Sequence, residues 1–109
     1  MPTINIFYSD NDDGPKLDEL TSELKKYVAQ KLTCGDIQLN EDEVSVRLLK
    51  ARGNGMIASV ELEVTAAAFA ERVEKQDEIC LNIQKFLKDR LKTDIYVWLI
   101  LAELGHSQK

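Results

Sequence analysis

Pro2-Thr3-Ile4-Asn5-Ile6-Phe7-Tyr8-Ser9 opens the chain with a two-residue period: Ile4, Ile6 and Tyr8 fall on one face, Thr3, Asn5 and Phe7 on the other. Side chains of an extended backbone alternate between faces, so the spacing predicts a β-strand starting at the N-terminus. Ser9-Asp10-Asn11-Asp12-Asp13-Gly14-Pro15 follows, rich in turn formers, with a proline where a helix can begin. Leu17, Leu20, Leu24, Val28 and Leu32 then recur at three and four residues. Glu19, Glu23, Lys25 and Lys26 take the other side, the pattern of an amphipathic helix. Gly35 suits its C-terminal cap, with Cys34 inside the helix.

Further along, Val44, Val46 and Leu48 alternate with Ser45, Arg47 and Leu49, a second strand. Arg52-Gly53-Asn54-Gly55 reads as a hairpin turn into a third strand, Ile57 to Thr65. A second helix is expected from Ala67 to Leu91, with Val73, Cys80, Ile83, Leu87 and Leu91 along its stripe. Ile95 to Leu104 forms the last strand, and Gly105 to Lys109 a frayed tail. The order is β-α-β-β-α-β: an α+β, two-layer sandwich with two helices on one face of a four-stranded sheet. With no low-complexity segment or linker to divide it, residues 1–109 are expected to form one domain.

Ile95-Tyr96-Val97-Trp98-Leu99-Ile100-Leu101-Ala102 has no polar alternation, so both faces of that strand should be covered. Two helices cover one face only. The other needs a second subunit, or the tail folded over it, and burial at about 25 cal/mol per Å² of apolar surface favours association. A homo-oligomer is the expectation.

The 109 residues are 44% hydrophobic and 30% charged, with a net charge of −5, so no overall positive field draws the chain to nucleic acid or anionic lipid. The start lacks the basic and apolar blocks of a signal peptide, and the longest apolar run is too short to cross a bilayer. No membrane partner is expected, and the simplest location is cytoplasmic. Cys34 and Cys80 make neither a disulfide framework nor a metal cluster. His106 is the single histidine, which leaves no ordinary triad, zinc site or other metal centre. No phosphate-binding or dinucleotide-binding glycine pattern occurs, so no cofactor is expected.

One chemical candidate remains. Initiator methionine is trimmed when proline follows, and loss of Met1 would leave Pro2 with a free secondary amine. An α-amino group titrates near pH 7.7–8.0, lower when buried or beside a cation, so it can be neutral at cellular pH and act as a general base. Proline at this position is also compatible with a merely structural role.

The opening stretch, Pro2 to Ser9 and on through Asp10-Asn11, together with the doubled β-α-β, resembles the tautomerase superfamily. That group includes macrophage migration inhibitory factor, 4-oxalocrotonate tautomerase and 5-carboxymethyl-2-hydroxymuconate isomerase, and the opening looks most like the last of these. The resemblance implies a cofactor-free keto-enol tautomerase or isomerase of a small 2-oxo or 2-hydroxydienoic carboxylate, with Pro2 as catalytic base and a homotrimer as the assembly. It implies substrate-binding roles for Arg47 and, less directly, Arg72, since arginines hold the carboxylate and the developing enolate charge. It also implies that Tyr96 and Trp98 line a pocket of a neighbouring subunit. An exposed strand arginine or an intersubunit ion pair accounts for Arg47 equally well, and packing accounts for Tyr96 and Trp98. A non-catalytic, oligomeric interaction module of the same topology is the alternative.

Overall fold

A computed structural model describes residues 2–9, 13–35, 38–52 and 55–103. Met1, the Gly53-Asn54 pair and the tail with His106 lie outside the described residues. Four strands form one sheet: β1 (Thr3–Tyr8), β2 (Ser45–Lys50), β3 (Val60–Ala67) and β4 (Ile95–Ala102). Three helices join them: α1 (Asp13–Leu32), a short α2 (Ala70–Glu74) and α3 (Gln76–Leu91). The expected α+β architecture, with helices on one face of a four-stranded sheet, is what the chain adopts.

The sheet order is β2-β1-β3-β4. β1 and β2 are parallel and joined through α1; β3 and β4 are parallel and joined through α2 and α3. β1 and β3 meet antiparallel at the centre, Thr3 opposite Thr65 and Tyr8 opposite Val60. This corrects the hairpin expected at Arg52–Gly55, because β2 and β3 do not pair. β1 stands between them, and the connection from 51 to 59 crosses its end. Turn residues mark that the chain reverses there, but a local signal cannot say which strand fills the gap.

The core lies between the helices and one sheet face. Ile4 and Ile6 from β1, Leu62 and Val64 from β3, Leu24 and Val28 from α1, and Ile83 and Leu87 from α3 are sealed from solvent. Alternation along β3 is complete, with Val60, Leu62, Val64 and Ala66 buried and the residues between them partly exposed.

Several boundaries move. α1 stops at Leu32, so Cys34 lies beyond the helix rather than in it, while Gly35 takes the left-handed φ of +53° suited to a chain reversal. β3 starts at Val60 rather than Ile57, which is 69% exposed, and it runs on through Ala67. The second helix therefore begins at Ala70 and is interrupted at Lys75. Its buried stripe holds the expected Ile83, Leu87 and Leu91 but takes Ile79 and Arg72 in place of Cys80 and Val73. Ile79, Ile83, Leu87 and Leu91 are buried, and seven residues before Ile79 stands Arg72, not Val73. Val73 is 51% exposed and Arg72 only 3%. Apolar ranking chose the valine where the helical period selects the arginine.

Candidate functional site

Strand directions bring a defined set of residues to one end of the sheet. β1 and β2 begin there, and β3 and β4 end there. The C-terminus of α1 and the start of α2 arrive at the same end because they connect to those strand termini. Pro2 is buried just before β1, and its carbonyl accepts the Ser45 N–H at 3.1 Å. The β1–β3 register, continued by one residue beyond Thr3–Thr65, sets Pro2 beside Ala66.

At the same end, Gln30 and Lys31 of α1 and Thr33 and Cys34 just beyond it face Glu71, Arg72 and Lys75 across a cavity of about 250 Å³, which Pro2 does not line. Lys31, Arg72 and Lys75 outnumber the carboxylates of Glu71 and Glu78 on its wall, so the cavity favours an anion. Arg72 is held in place: Nε donates to the Leu32 carbonyl at 2.9 Å and Nη1 to the Ala67 carbonyl at 3.1 Å. Its guanidinium lies 4.7 Å from the centre of the Phe69 ring. Glu71 Oε2 accepts the Gly35 N–H at 2.8 Å, and Glu71 Oε1 lies 3.5 Å from Lys75 Nζ. Among the described residues no carboxylate pairs with Arg72.

The other nominated residues lie on the opposite sheet face. Arg47 is exposed on β2 beside Asn5, and the row continues across the sheet as Arg47, Asn5, Glu63 and Trp98. Asn5 Oδ1 is buried in that row with no hydrogen-bond partner. One row further on, Leu49, Phe7, Glu61 and Tyr96 align. The Tyr96 and Trp98 rings are 5.2 Å apart and 37% and 48% exposed. Arg47 is about 10 Å along the strand direction from Pro2 at ~3.3 Å per residue, and the pleat sends it to the other side. One chain thus brings Pro2 and Arg72 to the same end and leaves Arg47, Tyr96 and Trp98 on the uncovered face.

Lys31, Thr33, Glu71 and Lys75 were not singled out from the sequence. They sit on helix ends among many similar surface residues, and only the tertiary meeting of α1 with α2 distinguishes them. Cys80 lies outside this end: its Sγ is 3.3 Å from the Val97 carbonyl. Burial pushes its thiol above the ordinary value, with the Asp77 carboxylate adding to the rise and a backbone contact at Leu99 opposing it. No group of three metal-ligating side chains occurs among the described residues. No helix among them is long and apolar enough to cross a membrane.

Solved structures of similar shape match nearly the whole chain. A macrophage migration inhibitory factor-like protein from Entamoeba histolytica superposes with a TM-score of 0.69 at 15% identity, covering 97% of this chain and 95% of its own. A fused 4-OT protein solved as a symmetric trimer gives 0.69 at 15% identity, over 93% and 85%. The chain has the fold of these structures. A member of the cis-3-chloroacrylic acid dehalogenase family shares it more loosely, with a TM-score of 0.57 at 10% identity over 93% and 75%. No family model and no curated protein sequence matches the chain. The tautomerase-like likeness is therefore one of fold.

Proposed function

We propose that the protein is a cofactor-free keto-enol tautomerase of small 2-oxo or 2-hydroxydienoic carboxylates, with Pro2, freed by removal of Met1, as general base. The observation that carries this reading is the buried position of Pro2 at the end of the fold where a cavity with a cationic excess opens. Burial disfavours the protonated form of a secondary amine, and a cation brought near it lowers its pKa further. The amine takes a proton from the enol hydroxyl or the α-carbon and returns it at the far end of the conjugated system. The cations stabilise the carboxylate and the enolate charge that develops between the two transfers. Arg72 lies on the cavity wall.

Arg47, Tyr96 and Trp98 reach such a site only from another copy. The proposal therefore includes a homo-oligomer, a trimer by likeness to the fused 4-OT protein solved as one, closing over the exposed sheet face. The cytoplasm is its proposed location. The separation of these residues within one chain also favours a second reading, an oligomeric interaction module without catalysis.

Intact mass followed by kinetics separates the two. The mature chain should lack Met1 and ketonise the enol of phenylpyruvate or 2-hydroxymuconate, and Pro2→Ala should lower kcat/KM by about 10²–10⁴-fold, the range for loss of a general base. Equal rates for the two proteins leave the module reading in place.

A further inference from the structure

We infer that Glu71 and Arg72 together form a clamp that positions the Pro2 end of the sheet, Arg72 serving as a positioning residue rather than as the ligand of a substrate carboxylate. The inference rests on the proposed role of Pro2. The geometry behind it is separate. Arg72 is the buried residue of the short α2 and is 3% exposed. A guanidinium taken out of water is tolerated only when its donors are satisfied. Here Nε and Nη1 each donate to a backbone carbonyl from a different element, Leu32 at the end of α1 and Ala67 at the end of β3.

The two carbonyls stand where separate elements end. Leu32 is the last residue of α1, where carbonyls lose their intrahelical donors. Ala67 ends β3, and its carbonyl also accepts the Phe69 N–H at 3.0 Å. The adjacent Glu71 grips the same turn from the other side through the Gly35 N–H. Two neighbouring residues therefore fasten the α1 terminus, through both a donor and an acceptor, to the exit of β3. Ala67 directly follows the residue that stands beside Pro2. Consecutive Cα atoms are about 3.8 Å apart and paired strands about 4.8 Å, so a shift of the β3 exit is transmitted to Pro2 within ~6 Å.

A lysine at position 72 keeps the charge but presents it as a point on a flexible stem, unable to span two carbonyls with a planar fork. Arg72→Lys should lower kcat by about 10–100-fold, the scale of a misplacement of about 1 Å, with KM changed by less than about threefold. Glu71→Ala should act in the same direction, and Glu71→Gln, which keeps an acceptor for Gly35, should restore the rate. Amide hydrogen exchange supplies a readout that needs no turnover. Arg72→Lys should speed exchange at Phe69, and Glu71→Ala at Gly35.

If Arg72→Lys does not fold, the partly exposed Glu71 pair carries the test alone. A rise in KM at unchanged kcat would overturn the clamp in favour of direct substrate binding, as would unchanged exchange at Phe69 and Gly35. Failure of the Pro2 reading shows elsewhere, as equal rates for Pro2→Ala and the parent, while the exchange data still report on the clamp.

Discussion

Arg72 carries a lesson in how a residue type is read. Its sequence position nominated it for a carboxylate, yet its nitrogens hold the Leu32 and Ala67 carbonyls. A positive side chain at an apolar helical position is legible only once the phase of the helix is known. Gly35 is a different case: it stands three residues beyond the end of α1 rather than as its cap, and takes a left-handed φ of +53°. No side chain or backbone atom stands within 4 Å of an added Cβ, so the cost of Gly35→Ala is conformational alone, about 1 kcal/mol of stability by urea denaturation. Cys80 makes a pH-dependent case. Burial raises its thiol above 9.0, so the folded chain keeps the proton to higher pH than the unfolded chain does. Its contribution to stability is full below about pH 9 and is lost as pH climbs through the folded value. Denaturant midpoints measured from pH 7 to 10.5 should fall less for Cys80→Ala than for the parent, and alkylation of the folded thiol by iodoacetamide should be slow at pH 7.5.

At the scale of elements, α1 and α3 are joined by more than their apolar stripes. Tyr27 and Phe86 stack with centroids 4.3 Å apart, Arg90 lies 3.6 Å over Phe86, and Arg90 Nε donates to Glu23 Oε2 at 3.2 Å. Arg90→Ala should cost about 0.5–1 kcal/mol, mostly through the ring contact, because the Glu23 pair is exposed. Ile83→Ala, in the sealed centre of α3, should cost about 2–5 kcal/mol in the same assay. Element order was legible because periods of 2 and 3.6 differ plainly in β1, α1 and β3. Strand order was not. The Arg52–Gly55 turn chemistry argued for pairing of β2 with β3, whereas the sheet places β1 between them through the α1 crossover. Which strand becomes central depends on contacts distant in sequence, and no window of ten residues contains them.

Across the whole molecule, the expected need for a partner on β4 has a physical image. Tyr96, Trp98 and Ile100 project from the face that no helix covers, with Leu49 on the far strand. Asn5 Oδ1 lies buried without a hydrogen-bond partner in the middle of that face. Trp98→Asp should shift the assembly toward monomer in sedimentation velocity at micromolar concentration, leaving the far-ultraviolet circular dichroism unchanged. A parent chain that is itself monomeric there would remove the shared site, since Arg47, Tyr96 and Trp98 could then not meet Pro2. The candidate site was thus half legible: Pro2 and Arg72 share an end of one chain, and the remaining residues await a second. The account turns on the state of one nitrogen, and ¹⁵N nuclear magnetic resonance of proline-labelled mature protein observes it directly. Pro2 should titrate below the ordinary α-amino range of about 7.7–8.0 and be neutral at pH 7.5. A nitrogen that does not titrate because Met1 remains attached, or one that stays protonated through pH 8, would contradict it.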